Sequence, residues 1–272
     1  MSDSSLQAQV EAARAYETLM VPALFGAWPS QVLDAAKVRA GERVLDVGCG
    51  TGVLARAAAA RVGRTGAVAG LDPAPGMLEV ARQLAPGLEW HHGVSESLPF
   101  ADASFDAVVS QFALMFFNDR RQSLREALRV LKPGGRLAIA VWDAIENIPA
   151  YAIELEVLER LAGREAADAL RAPFVLGRRA ELLTLFADAG ITSAKAITSR
   201  ANARFPSVRV MVEADLRGWL PLVGVVLSED QIARILSEAE HALSAYVEAD
   251  GAVVFESSAH IVTANAGSAP GV

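Results

Sequence analysis

The chain has 272 residues, 52% hydrophobic and 21% charged, with a formal net charge of −7. This composition sustains a large buried core and excludes a disordered polymer. The acidic balance excludes nucleic acid as the main partner, because phosphate binding needs a concentrated basic face and the closest clusters, Arg120-Arg121 and Arg178-Arg179, are isolated pairs. Cys49 is the single cysteine, so no intrachain disulfide forms, which suits a reducing cytoplasm. The opening MSDSSLQAQVEAARAY lacks a basic start followed by an apolar core, so no signal peptide is expected. The longest apolar run, WLPLVGVVL (219–227), holds Pro221 and Gly224 and is too short for a membrane span. A cytoplasmic protein is expected.

In chain order, residues 6–40 read as helical with an interruption between Pro22 and Pro29. VLDVG (44–48) is a predicted strand and VLARAAAARV (53–62) a helix ended by Gly63. AVAGLD (67–72) is a second strand, followed by the helix PGMLEVARQL (75–84), whose Pro75 sits where a missing N–H costs nothing. LEWHH (88–92) and FDAVVSQ (105–111) are the third and fourth strands. In RRQSLREALRVL (120–131), Leu124, Leu128 and Leu131 share one helical face. Lys132-Pro133-Gly134-Gly135 then turns into the strand RLAIAVW (136–142). Near-continuous apolar strands separated by amphipathic helices mean a parallel sheet covered on both faces, an α/β, doubly wound fold. Further on, 150–189 reads as two helices and 191–205 as a weakly alternating strand. Ser228 and Gln231 open a helix with a capping box, and AVVFESSAHIVTA (252–264) is a last strand.

The stretch RVLDVGCGTGVLAR (43–56) carries a strand into a helix through Gly48, Gly50 and Gly52, a turn that lets backbone approach a ligand held at a helix N-terminus. A nicotinamide-binding motif would have its third glycine where Val53 stands. Asp72, ending the second strand, suits any bound ribose and does not discriminate.

VLDVGCGTG, GLDPAPGML, LPFADASFDAVVS and RVLKPGGRLAIAVW follow in order, with one strand–helix unit between neighbours. This series resembles the class I S-adenosylmethionine-dependent methyltransferases, and among them the ubiquinone/menaquinone C-methyltransferase-like, small-molecule branch. The resemblance covers roughly residues 16–142. It implies a Rossmann-like, mostly parallel seven-stranded sheet with an antiparallel last strand, N-terminal helices and a helical insertion before that strand. The domain expectation is an N-terminal helical lid (1–40), a cofactor-binding core (41–145), a C-terminal part of the same domain with a cap insertion at about 206–250 (146–265) and a disordered tail (266–272).

The resemblance also implies roles. Gly48 and Gly50 would let backbone approach the methionine part of S-adenosylmethionine, and Asp46 would hold its ammonium, unless Asp46 only caps the turn. Asp72 would accept both ribose hydroxyls. Met77 would lie against the adenine or serve as core. Where the family has Gly-Asp-Ala before LPF, this chain has Gly93-Val94-Ser95-Glu96. Val94 cannot accept the adenine amino group, so the Ser95 backbone N–H would contact the ring and Ser95 or Glu96 would replace the lost acceptor. Gln111 would sit beside the methionine group.

By position, Tyr16, Phe25, Trp28, Phe112, Met115, Phe116 and Trp142 line an acceptor pocket or belong to the core, and Tyr16 and Trp28 would lie on a mobile lid. Their apolar, aromatic character suits a hydrophobic or planar small molecule. Cys49 is read as a small side chain turned from the ligand. His91 and His92 are read as structural or solvent-facing; His241 and His260 have no evident partner. No metal-ligand spacing or paired carboxylate is seen, so neither a metal nor a catalytic base is named. The expected reaction is in-line methyl transfer with S-adenosylhomocysteine as product, to a small-molecule acceptor, and the chain is compatible with a homodimer. Two alternatives stay open: a methyltransferase-fold protein that binds the nucleoside for regulation or other chemistry, and a nicotinamide-dependent oxidoreductase.

Overall fold

The computed structural model describes residues 3–267. Seven strands form one sheet: β1 (Arg43–Val47), β2 (Ala67–Asp72), β3 (Glu89–His92), β4 (Phe105–Gln111), β5 (Leu131–Trp142), β6 (Lys195–Phe205) and β7 (Val253–Asn265), in the order β3-β2-β1-β4-β5-β7-β6. The first five pair in parallel, and β7 runs antiparallel between β5 and β6. β1 and β4 are buried through nearly every residue, as apolar strands covered on both faces must be. The chain order reverses between β1 and β4, so the carboxyl ends of those strands open the crevice at the topological switch point.

The helices are α1 (Asp3–Ala15), α2 (Pro29–Ala35), α3 (Val53–Val62), α4 (Pro75–Leu84), α5 (Arg120–Val130), α6 (Pro149–Ala162), α7 (Arg164–Arg171), α8 (Arg179–Asp188), α9 (Val208–Glu213), the single turn α10 (Leu220–Leu222) and α11 (Glu229–Ala242). Pro29 and Pro75 sit at first-turn positions, where no N–H is needed. Ser228 caps α11 with Gln231 in the expected reciprocal box. The core runs continuously from Trp28, Leu33 and Leu45 through Phe105 and Leu137 to Phe186 and Phe205, all essentially inaccessible.

Several local expectations need correction. The break between Pro22 and Pro29 begins later than expected: Tyr16–Phe25 is a π-helical segment that carries Pro22 inside it. The wider i→i+5 winding accommodates the lost N–H without ending the helix. Residues 150–189 form three helices rather than two, because Gly163 turns the chain at φ 87° between α6 and α7. Lys132–Gly135 is a bulge within β5 rather than a separate turn: Leu131 pairs with Phe105, and pairing resumes at Arg136–Ala107. The tail expected to be loose lies from residue 268 onward outside the described residues, and the Ala266 amide bonds to Gly135 O at 2.8 Å. Among the described residues no helix is long and apolar enough to cross a membrane.

Ser228→Ala removes the acceptor for the Gln231 amide at the start of α11 and should cost about 1 kcal/mol. The midpoint of a urea unfolding curve measures it.

Candidate active site

β1 delivers Asp46 to the crevice, and the next residues cannot continue as strand. The amides of Gly48 and Cys49 both bond to Leu71 O, at 2.8 and 3.0 Å, which folds the turn back over β2. Gly50 has φ 54°, and a Cβ there would meet no atom within 4 Å, so its backbone faces open space. Gly52 has φ 88°, and a Cβ there would lie 2.4 Å from the Trp90 ring. One glycine therefore keeps room for a ligand, and the other keeps room for the protein's own tryptophan. Cys49 is buried on the inner side of this turn, beneath Gly70, and burial pushes its thiol well up.

Two carboxyl groups flank the turn. Asp72, at the end of β2, accepts the Gly50 amide on Oδ2 and the Ala74 amide on Oδ1, each at 2.8 Å. Desolvation raises its pKa despite those bonds. Asp46 is 1% exposed, and its Oδ2 has no hydrogen-bond partner. Burial pushes its carboxyl up to about 8, against a lowering bond from the Ala55 amide and with a further rise from Asp72. An acid held in that state wants a cation beside it.

The N-terminal segment closes over these groups. The half-buried Tyr16 phenol is pushed up chiefly by desolvation, with smaller contributions from Glu17, Asp72 and Asp46. Glu17 pairs with Arg56 at 2.6 Å, and Arg56 also donates to Thr51 O at 2.6 Å, tying the segment to the turn. Four further buried atoms without partners belong to residues at this end of the sheet or on the covering segment: Glu17 Oε2, Trp28 Nε1, Thr51 Oγ1 and Gln111 Oε1. Gln111, at the end of β4, donates from Nε2 to Phe25 O at 3.2 Å.

The aromatic residues form one cluster at the ends of β4 and β5. Phe112, at the rare φ of 55°, stacks on Trp142 with centroids 3.6 Å apart. Trp28 meets both rings edge-on at 5.5 and 5.7 Å, and Phe25 bridges Tyr16 (5.2 Å) to Trp142 (6.0 Å). Trp28 has no exposed surface and packs as core. Met115 is buried beside this cluster; Phe116 is half-exposed and packs 5.4 Å from Trp219.

Other expected site residues turn elsewhere. Met77 packs with Val10, Ala13 and Val80 where α1 crosses α4, which accounts for its place without an adenine. The Ser95 hydroxyl bonds to Ser123 at 2.8 Å and to Glu96 at 3.2 Å. Glu96 Oε1 accepts the Asn118 and Asp119 amides at 2.8 and 3.1 Å. Both side chains thus brace the start of α5, and Val94 beside them stands 45% exposed. His260 does have partners: its Nε2 lies 2.8 Å from Gly177 O and 3.2 Å from Asp143, and its Nδ1 3.0 Å from Thr198 Oγ1. It clamps β7 to the loop after β5. Sequence reasoning also missed a buried carboxyl pair, Glu154 and Asp215, because the two residues are far apart in the chain and share no local pattern. Among the described residues no group of three or more His, Cys, Asp or Glu is placed to hold a metal ion.

A strand-end glycine turn between two carboxylates, on a sheet of this order, defines the class: a Rossmann-like fold. Residues 45–139 match the methyltransferase domain family. The chain is 42% identical over 115 residues to the 2-phytyl-1,4-naphtoquinone methyltransferase of Thermosynechococcus vestitus, covering 41% of this chain and 51% of that one. It is 42% identical over 133 residues to the demethylmenaquinone methyltransferase of Renibacterium salmoninarum, covering 49% and 55%. The chain thus spans about half the length of these curated relatives. The crystal structure of a putative methyltransferase from Bacillus halodurans superposes with a TM-score of 0.58 at 22% identity, over 89% of this chain and 99% of that one, and shares the fold.

Gly52→Ala forces a methyl into Trp90 at a left-handed φ and should cost about 2–3 kcal/mol, whereas Gly50→Ala meets open space and should cost about 1 kcal/mol. Paired urea curves test the difference. For Asp46, the folded pKa lies above the unfolded value of 3.8, so its contribution to stability is complete below pH 4 and is lost as pH rises through about 8. Asp46→Asn should therefore be more stable than the parent at pH 8.5, with the gap narrowing at pH 5. Melting temperatures at the two pH values, without ligand, check the sign.

Proposed function

We propose that the chain binds S-adenosylmethionine over the glycine turn and transfers its methyl group to a small, planar, largely apolar acceptor of quinone type. The observation that carries this reading is Asp46: a carboxyl 1% exposed, with an unpartnered oxygen, beside a backbone cradle that stays open at Gly50. A cationic amino-acid nucleoside supplies the missing charge, and its ammonium would restore Asp46 to the ionised form. Asp72 keeps a lone pair free on each oxygen beyond its bonds to Gly50 and Ala74, enough for two ribose hydroxyls. The quinone methyltransferases among the relatives support the acceptor class.

S-adenosylmethionine supplies a methyl group on a sulfonium that leaves as a neutral thioether. The chain's own task is to align, desolvate and enclose. Asp46 and Asp72 fix the two ends of the cofactor. Tyr16 and the Glu17–Arg56 pair hold the N-terminal segment across it. The buried Phe112–Trp142 stack forms a rigid apolar backing at the ends of β4 and β5. Positioning of this kind can supply about 7–11 kcal/mol of the barrier, and no base is required for a stabilised carbon nucleophile. With Val94 in place of the acidic acceptor, adenine recognition falls to backbone groups and apolar contact.

In a thermal-shift panel, S-adenosylmethionine and S-adenosylhomocysteine should stabilise the protein, by about 2.7 kcal/mol at 100 times the dissociation constant. Asp72→Ala should weaken binding roughly 10- to 100-fold through the loss of two charge-assisted hydrogen bonds. A shift with NAD or NADP alone would overturn the assignment.

A further inference from the structure

The first turn of α3 carries a pair of opposite charges at the glycine turn. Arg56, whose amide bonds to Gly52 O at 2.8 Å, sends its guanidinium back along that turn. One nitrogen donates to Thr51 O and another to Glu17 Oε1, each at 2.6 Å. A guanidinium has five N–H groups, so three stay available after those two bonds. Glu17 is met on one oxygen: its Oε2 is buried and has no hydrogen-bond donor. Thr51 is 1% exposed, and its hydroxyl is buried without a partner.

This ion pair is therefore joined on one side and open on the other. Tying the N-terminal segment down does not account for it, because a tie needs no unmet acceptor, and a buried acceptor or hydroxyl left unpaired costs free energy. The unmet groups specify what is missing. Arg56 and the Thr51 hydroxyl offer donors suited to an anion, and a carboxylate matches the two-pronged face of a guanidinium. Glu17 Oε2 and Asp46 Oδ2 want N–H donors on a cation. An α-amino acid carries both groups on one carbon. A phosphate would fit Arg56 but would be repelled by Glu17 and Asp46, which sets this turn apart from one that holds a pyrophosphate. An amine alone would leave the Arg56 donors unmet.

We propose that Glu17, Thr51 and Arg56 are the specificity residues for the amino-acid end of the cofactor: Arg56 and the Thr51 hydroxyl hold its carboxylate, and Glu17 Oε2 shares its ammonium with Asp46. This rests on the methyltransferase reading and extends it from the ammonium to the whole zwitterion. Glu17 belongs to the π-helical segment Tyr16–Phe25, so that segment becomes a wall of the cofactor site as well as its cover.

The test is calorimetric titration of the full chain with three nucleosides: S-adenosylhomocysteine, S-adenosyl-3-thiopropylamine, which lacks its carboxylate, and 5′-methylthioadenosine, which lacks the ammonium as well. The wild type should bind S-adenosylhomocysteine about 10- to 100-fold more tightly than the thiopropylamine, the usual penalty for leaving charged donors unpaired. In Arg56→Met, which keeps the aliphatic stem, that ratio should fall towards unity, and Thr51→Val should lower it partway. The ratio is the readout because a loosened N-terminal segment weakens both ligands alike. In Glu17→Gln the advantage of the thiopropylamine over 5′-methylthioadenosine should shrink. Equal binding of the first two ligands by the wild type, or a ratio unchanged in Arg56→Met, would overturn the proposal, and an unchanged amine advantage in Glu17→Gln removes Glu17 from it. If Arg56→Met does not fold, the wild-type ratio and Thr51→Val decide. Binding of none of the three nucleosides is a different result, and it removes the methyltransferase reading itself.

Discussion

The bond from the Gly50 amide to Asp72 Oδ2, 2.8 Å long, joins the turn after β1 to the end of β2. Around it the crevice takes its form. Parallel pairing sets the ends of β1 and β2 side by side, and the two Leu71 carbonyl bonds hold the Gly48-Cys49 peptide against β2. The carboxylate then fixes where the Gly50 backbone stands. A non-glycine residue at 50 would need a left-handed φ, and its side chain would occupy the space the turn leaves open. Asp46 stands in the same buried neighbourhood without comparable partners, so the site carries one satisfied carboxylate and one unsatisfied one. The satisfied one gives the site its shape.

From that point the order of construction runs outward. β4 continues past Ser110, whose hydroxyl bonds to Val47 O at 2.7 Å and locks the crevice edges together. Its last residue, Gln111, reaches the Phe25 carbonyl, so the covering segment is anchored to the sheet by hydrogen bond as well as by packing. Phe112 accepts an unfavourable backbone conformation beside the parallel stack on Trp142. Strain of this sort, about 1–3 kcal/mol, persists only where surrounding contacts over-determine it. Here Phe25, Trp28 and Trp142 all bear on the same ring.

How much of this could be read beforehand depends on how far apart the interacting residues lie. The β1–glycine–α3 turn and the Asp72 strand end were legible, because the physics that makes them is local: an apolar strand, glycines at positive φ, a helix start. β7 was legible for the same reason. The bracing role of the Ser95 and Glu96 side chains was not legible, because their partners, Ser123 and the 118–119 amides, come from another unit of the fold. His260 looked partnerless because Asp143 and Gly177 are brought to it only by sheet closure. Gly163 and Pro22 broke the helix count in opposite directions: the glycine ended a helix, while the proline was absorbed by π winding.

The cap shows the same division in its most consequential form. Helical periodicity places α6 and α11 against one another and hides apolar faces, and it would tolerate leucine at 154 and 215 equally well. Nothing in either local segment announces that two acids will meet. Yet the cost of burying them is the reason to attend to them, because a fold that needed only stability could do without that cost. At the sheet, an unpartnered buried carboxyl accompanies a backbone cradle and reads as half of an interaction whose other half is a cation. In the cap, the two buried carboxyls answer one another through a shared hydrogen bond.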